Sequence, residues 1–191
     1  MKENLRKQER KKYEKVWEFK AYRESGSPGD IFLQRLPVIQ WLENHNVRTV
    51  LDAGCGTGRM LRSLKKKMPE LDLYGMDIAR NSIDPRLKDI FINHCIWDES
   101  PMIYDAVFCT DVLEHLPETK IEKSIANLRS WAKKLLFFSI CLKQDNFGKV
   151  LIDEPLHLTV KPVQWWLERV MDLGNIEFMM ASPTTLDVVI A

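Results

Sequence analysis

Three glycines spaced two residues apart, Gly54, Gly56 and Gly58, follow directly on an apolar run of the chain. A turn of this kind lets the backbone approach a ligand closely, and a helix beginning at Arg59 would direct its N-terminal dipole at that ligand. The spacing differs from the G-x-G-x-x-G fingerprint of dinucleotide-binding loops, and Asp52 stands two positions before the first glycine. A carboxylate there would repel a pyrophosphate and attract a cation. The sequence therefore predicts a nucleotide-type binding loop for a positively charged ligand.

The elements that must position this loop alternate between strand and helix patterns. Apolar runs predict parallel strands at residues 47–53, 71–76, 89–95, 104–109 and 134–140. Helices are predicted at residues 59–67, 118–131 and 162–172, a short connection at 83–89 and a polar loop at 142–161. Only four residues separate the last two apolar segments, too few for a parallel crossover, which predicts an antiparallel hairpin of 176–181 and 186–191. This order predicts an α/β fold whose mostly parallel sheet is covered on both faces.

Four segments of the chain resemble motifs of class I S-adenosylmethionine-dependent methyltransferases, in the same order: Leu51–Gly58, Leu73–Asp77, Cys95–Asp98 and Tyr104–Leu116. The resemblance is strong over residues 45–141. It implies a three-layer, Rossmann-like sandwich with a mostly parallel seven-stranded sheet and an antiparallel C-terminal hairpin strand. It also implies methyl transfer from S-adenosylmethionine, with S-adenosylhomocysteine as the product.

The resemblance assigns roles to residues at the ends of the first four strands. The glycine loop would pack against the methionine moiety of the cofactor, and Asp52 would help to hold its amino group. Asp77 lies 19 residues after Gly58, close to the ~20 residues usual for a ribose-binding acid. The segment that ends at Asp98 would contact adenine. The expected cofactor-binding residues are Asp52, Gly54, Cys55, Gly56, Gly58, Asp77, Ile78, Trp97, Asp98, Thr110 and His115.

Methyl transfer from a sulfonium is an in-line displacement, so the enzyme mainly orients the acceptor, and it needs a base only if the acceptor loses a proton. His115, after the fourth strand, and His157, in the loop before residue 162, are the candidate catalytic residues. For His115, a structural role is the alternative. The four cysteines form no C-x-x-C pair and the four histidines are scattered in sequence, so no metal site is expected.

Residues 1–44 form a predicted helical arm, regarded as part of the same domain as the methyltransferase region 45–191. A charged helix over 3–24 is followed by a turn at 26–30 and a second helix over 31–44, in which Pro37 causes a kink or a restart. Trp17 and Tyr22 are candidates for a lid over the cofactor, and Trp165 for a wall of the acceptor pocket. For all three, plain packing is the alternative.

Charge and composition limit the kinds of partner that the chain is expected to bind. The first 24 residues contain nine Lys or Arg and five Glu, whereas the whole chain of 191 residues has a net charge of +1. A basic arm could contact nucleic acid, but interleaved glutamates are more typical of a solvated helix face. No apolar run approaches the ~20 residues of a membrane span, and the start lacks the apolar centre of a secretory signal, so a cytoplasmic monomer or homodimer is expected.

The segment after the fourth strand disfavours one class of acceptor. It reads Cys-Thr-Asp-Val at residues 109–112, unlike the Asn/Asp-Pro-Pro-Tyr/Phe sequence of enzymes that methylate exocyclic amines of nucleic acids. The prediction is therefore a methyltransferase with a small-molecule acceptor. Two alternatives remain open: a nucleic-acid methyltransferase that uses the basic arm, and a catalytically degenerate methyltransferase-like protein that serves as a binding partner or scaffold.

Overall fold

A computed structural model of the protein describes residues 2–25, 29–100 and 102–191. Within them a seven-stranded sheet has the order β3-β2-β1-β4-β5-β7-β6. Its strands are β1 (Thr49–Ala53), β2 (Asp72–Asp77), β3 (Phe91–Asn93), β4 (Tyr104–Thr110), β5 (Ala132–Cys141), β6 (Ile176–Ala181) and β7 (Thr185–Ile190). The first five are parallel, whereas β7 runs antiparallel to both β5 and β6. The predicted sheet and its C-terminal hairpin are confirmed.

Helices cover the sheet on both faces, which makes three layers. They are α1 (Lys2–Val16), α2 (Lys20–Ser25), α3 (Gly29–Arg35), α4 (Val38–Asn44), α5 (Arg59–Lys67), α6 (Glu118–Trp131), α7 (Phe147–Ile152) and α8 (Val163–Val170). Apolar residues of α6 and α8 pack on one face, and those of α3, α4 and α5 on the other. Among the described helices, none is long and apolar enough to cross a membrane.

The central strands β1, β4 and β5 are apolar on both sides because both of their faces are covered. Along β4, Val107 belongs to one apolar cluster and Phe108 to the other, and the same alternation separates Leu136 from Phe137 in β5. The rings of Phe108 and Phe137 are stacked, with centroids 4.2 Å apart and planes 2° from parallel. Polar side chains that could contact a ligand are therefore confined to the ends of these strands.

Several boundaries differ from the sequence prediction. The helix predicted over 3–24 is broken after Val16. Of the two outcomes predicted for Pro37, a kink or a restart, the structure has the restart, since a new helix begins at Val38 and Pro37 has no N–H to continue the first one. Strand β3 has only three residues because Pro85–Ile90 forms a 3₁₀ turn. The predicted polar loop 142–161 contains α7. Most of the turn predicted at 26–30 lies outside the described residues.

Replacing Phe137 tests the core. Phe137→Ala is expected to lower the free energy of unfolding by ~3–5 kcal/mol, because a fully buried ring that stacks on Phe108 is replaced by a cavity. Phe19→Ala, at a side chain that is 36% exposed, is the matched control and should change stability much less. Chemical denaturation measures both. Equal losses would contradict the packing described for β5.

Candidate functional site

A cleft of about 860 Å³, open to solvent, lies at the carboxyl ends of the parallel strands. Segments that follow β1, β2, β3 and β4 form its floor, and the N-terminal arm forms a wall. Of the residues predicted from the sequence, the cleft walls include Trp17, Tyr22, Asp52, Gly54, Cys55, Gly56, Asp77, Ile78, Trp97, Thr110 and His115. The parallel sheet thus brings together residues from Asp52 to His115, which are 63 positions apart in sequence, because all of its parallel strands end at one edge.

The glycine loop is held against the end of β2 by hydrogen bonds. The N–H groups of Gly54 and Cys55 both donate to the Met76 carbonyl oxygen, at 2.7 and 2.9 Å, and the N–H of Gly56 donates to Oδ2 of Asp77 at 3.0 Å. Gly54 has a φ of +86°, and a Cβ there would lie 2.3 Å from Cγ2 of Val112. Only glycine fits this position, since the turn needs both a positive φ and a close approach to the segment after β4.

Two buried carboxylates flank the loop. Burial raises the pKa of Asp52 to about 8, and the neighbouring Asp77 adds to the shift. Burial also raises the pKa of Asp77, to about 6, although hydrogen bonds from the N–H groups of Ala79, Gly56 and Ile78 act in the opposite direction. Two acidic groups in one low-dielectric cleft favour a cationic ligand, because a positive charge would stabilise their ionised forms.

The arm closes one side of the cleft with aromatic side chains. Trp17 and Tyr22 pack edge to face with ring centroids 4.7 Å apart, and both are buried. The Tyr13 hydroxyl lies 2.8 Å from Nδ1 of His115, which ties α1 to the turn after β4. Arg23 donates hydrogen bonds to the carbonyl oxygens of Asn81 and Ser82, beyond the end of β2.

The sequence prediction did not include several cleft residues of the arm and strand ends, among them Glu9, His94 and Asp111. Glu9 lies four positions before Tyr13 and eight before Trp17, which places it on the same helix face, and this spacing could have identified it. Glu9 is buried and forms an ion pair of 2.6 Å with Lys12. Part of the basic charge of the arm therefore points into the molecule.

Four predicted site residues lie outside the cleft walls. Gly58 is the N-cap of α5, and a Cβ there would lie 2.5 Å from Leu87. Asp98 forms an ion pair of 2.8 Å with Arg6 on the arm. Trp165 lies under the guanidinium of Arg169, at 3.4 Å from the ring centroid, on the helix that covers the sheet.

His157, the fourth of these residues, lies behind the cleft wall against His115. Their ring centroids are 4.5 Å apart, and Nδ1 of His157 is 2.6 Å from the Lys143 carbonyl oxygen. The two histidines are far apart in sequence, but the fold brings their rings into contact. The loop after β5 folds back onto the turn after β4, where the N–H groups of Leu158 and Thr159 donate to the carbonyl oxygen of Glu114 at 2.8 and 2.9 Å.

The surroundings of this pair are unusual electrostatically. Burial lowers the pKa of His115 to about 4, so its imidazole is neutral at pH 7. Burial, together with the neighbouring Asp111, raises the pKa of the Glu114 carboxyl well above its ordinary value. For His157, burial lowers the pKa, but hydrogen bonds with Cys141 and Lys143 outweigh it, and the net shift is upward. Shifts of this kind are typical of functional sites.

Comparison with known proteins identifies the family. A family model described as a methyltransferase domain matches residues 10–187. The chain belongs to this family. The match begins within α1 and ends within β7, so it includes strands β1 to β6 in full, and it agrees with the resemblance to class I methyltransferases noted in the sequence.

Two curated relatives align with about half of the chain. A malonyl-[acyl-carrier protein] O-methyltransferase of Halalkalibacterium halodurans is 30% identical over 106 residues, which are 48% of this chain and 38% of that protein. The chloroplastic magnesium protoporphyrin IX methyltransferase of Arabidopsis thaliana is 31% identical over 103 residues, 50% of this chain and 33% of that protein. The chain thus matches little more than a third of the length of these relatives.

A solved structure supports the fold. The magnesium protoporphyrin IX methyltransferase of Synechocystis PCC 6803 with bound S-adenosylhomocysteine has a TM-score of 0.59 and is 22% identical. The similarity covers 81% of this chain and 80% of that chain. At 22% identity, this likeness establishes the shared architecture.

The buried carboxyl of Asp52 predicts a pH dependence of stability. Its pKa is raised from 3.8 to about 8 in the folded chain, so its contribution is fully favourable below about pH 4 and is lost as the pH rises to about 8. Asp52→Asn removes the charge that must be buried. Relative to wild type, this variant should gain stability by up to ~1.4 kcal/mol per pH unit across that window.

Denaturation between pH 4 and 9 measures this gain. Asp72→Asn is the control. Asp72 is exposed and lies at the start of β2, whereas the cleft lies at the carboxyl end of that strand. A difference between Asp52→Asn and wild type that stays constant over the whole range would show that Asp52 is not a buried titrating group.

Proposed function

We propose that the protein is an S-adenosylmethionine-dependent methyltransferase that acts on a small-molecule acceptor. The observation that carries the proposal is the cleft in which the glycine loop lies between two buried carboxylates, Asp52 and Asp77, in a chain of the methyltransferase domain family. We further propose that the arm, residues 1–44, and residues 45–191 act as one domain, since both contribute walls to this cleft.

The cofactor would occupy the cleft with its cationic part toward Asp52. S-adenosylmethionine has a sulfonium and an ammonium group, and either charge would stabilise the ionised form of this carboxyl. Both oxygens of Asp77 accept backbone N–H groups, among them Ala79 at 2.8 Å and Gly56 at 3.0 Å, and the carboxylate retains a lone pair for a ribose hydroxyl. The remaining cleft residues would contact the methionine and adenine parts: Gly54, Cys55, Gly56, Ile78, Trp97, Thr110 and His115.

Two residues that the sequence predicts to bind the cofactor would act on it indirectly. Gly58 begins α5 and allows the loop to turn, and Asp98 holds Arg6 and thereby the start of the arm. Through these contacts both support the shape of the cleft.

The chain's main contribution to the reaction would be orientation. The methyl group passes directly from sulfur to the acceptor, so holding the two reactants in line can lower the barrier by ~7–11 kcal/mol in favourable cases. The aromatic wall of Tyr13, Trp17 and Tyr22 would exclude water from the charged sulfonium. His115 faces the cleft and His157 stands behind it, so we propose that this pair acts together on the acceptor side.

A small acceptor is favoured because the arm uses its cations internally. Arg6 binds Asp98, Lys12 binds Glu9, and Arg23 binds two carbonyl oxygens beyond β2. Fewer positive charges are left for the phosphates of a nucleic acid, which depend on such contacts for affinity.

Calorimetry with S-adenosylmethionine and S-adenosylhomocysteine tests the cofactor. Wild type should bind both in the micromolar range, and Asp77→Asn should weaken binding at least tenfold, because a neutral amide is a poorer acceptor for ribose hydroxyls. Asp72→Asn, at the exposed end of the same strand, is the matched control and should bind as wild type does. If wild type binds neither molecule at millimolar concentration, the proposal is wrong.

The acceptor class can be tested with a radiolabelled methyl group. After incubation with a cell extract and labelled S-adenosylmethionine, label is expected in the small-molecule fraction. Label in nucleic acid, with binding of RNA or DNA that falls steeply with salt, would instead favour the nucleic-acid alternative. Cofactor binding without transfer to any fraction would favour a binding protein that has lost catalysis.

A further inference from the structure

Four side chains with metal-ligand atoms converge at the wall of the cleft: Asp111, Glu114, His115 and His157. One ligand atom of each lies within 4.8 Å of those of the other three. The first three come from the turn after β4, and His157 comes from the loop that folds back after β5. We propose that this cluster binds one divalent transition-metal cation.

Glu114 gives the strongest indication of a bound cation. Its side chain is fully buried, and Oε1 accepts the N–H of Cys141 at 2.9 Å. Oε2 has no hydrogen-bond partner among the described residues. A carboxyl oxygen of Asp111 lies within 4.8 Å of a carboxyl oxygen of Glu114. Two acidic groups this close, one of them fully buried, need a shared proton or a cation, and a metal ion would satisfy the unpartnered oxygen directly.

The two histidines are oriented as metal ligands usually are. Nδ1 of His157 faces the Lys143 carbonyl oxygen at 2.6 Å, so this nitrogen has the proton and donates it. Nδ1 of His115 lies 2.8 Å from the Tyr13 hydroxyl, which in turn lies 3.4 Å from the Leu156 carbonyl oxygen. If Nδ1 of His115 has the proton, it donates to the Tyr13 hydroxyl, which can in turn donate to the Leu156 carbonyl oxygen. In both rings Nε2 is then the unprotonated nitrogen, which is the form that binds a metal ion, and the outer hydrogen bonds fix the tautomer.

The donor set indicates the kind of metal. Two imidazoles and two carboxylates suit Mn²⁺, Fe²⁺, Co²⁺ or Zn²⁺ better than Mg²⁺ or Ca²⁺, which prefer oxygen ligands alone. Four protein ligands leave two positions of an octahedral ion open. These positions would take oxygen atoms, from water or from a hydroxyl or carboxylate of the acceptor.

The place of the cluster connects it with the reaction. Asp111 and His115 line the cofactor cleft, and Asp111 also lines a second cavity with Arg35, Ser139 and Cys141. A cation held by Asp111 would therefore lie where an acceptor could meet the cofactor. Coordination of the acceptor rests on the proposed function, whereas metal binding itself does not.

Titration of the full-length chain with Mn²⁺ after treatment with a chelator tests the site. Electron paramagnetic resonance measures the free aqueous Mn²⁺, and the remainder of the added Mn²⁺ is bound. Without any cofactor present, one ion should be bound per chain. His157→Ala should weaken binding at least ~10-fold, since even outer-shell changes have effects of ~10–100-fold. Glu114→Gln should do the same. His45→Ala, at a histidine that pairs with Glu177 on another part of the sheet, is the matched control and should bind as wild type does.

Parallel measurements keep the outcomes distinct. His157 is half-buried and lies outside the cofactor cleft, so His157→Ala should fold and should bind S-adenosylhomocysteine as wild type does, even if Glu114→Gln unfolds. Loss of metal binding with retained cofactor binding supports the site. If wild type binds none of Mn²⁺, Co²⁺ and Zn²⁺ at millimolar concentration, or if His45→Ala weakens binding as much as His157→Ala, the inference is overturned. Failure of cofactor binding with intact metal binding would overturn only the proposed function.

Discussion

Burial of the central strands on both faces is the constraint on which the rest of the structure depends. Since β1, β4 and β5 are enclosed by helices, their interiors admit only apolar side chains such as Phe108 and Phe137. Polar groups can therefore collect only where the strands end, and every parallel strand ends at the same edge. The cleft, the glycine loop and the histidine pair all lie at or next to this edge because of that restriction.

The same restriction explains why the cleft favours a cationic ligand. Asp52 and Asp77 lie at the carboxyl ends of β1 and β2 but are still buried. Ionisation of either carboxyl therefore carries the desolvation penalty of a buried charge. The backbone N–H groups around Asp77 offset part of this penalty, and a positively charged ligand would offset more. The free energy stored in these carboxyls thus favours binding, at the expense of the stability of the empty protein.

Most of the fold follows from local sequence patterns, and the site only in part. Helix α5 and the residues around Gly54 and Asp77 are predictable because the apolar runs, the glycine turn and the acid after β2 are contiguous signals. The break after Val16 and the short β3 depend on tertiary packing, which local patterns do not reveal. The meeting of His115 and His157 could not be read from their positions, since it is created by a loop that returns to the Glu114 backbone.

The aromatic wall of the cleft is anchored separately from the rest of the core. Trp17 and Tyr22 pack with Ala79, Ile152 and Leu156 in a cluster of their own, apart from the two clusters that hold the sheet. Substitutions in this wall would therefore alter the shape of the cleft while leaving the packing of the central strands intact. The arm is therefore a part of the chain whose residues can vary, and reshape the cleft, without a matching loss of foldability.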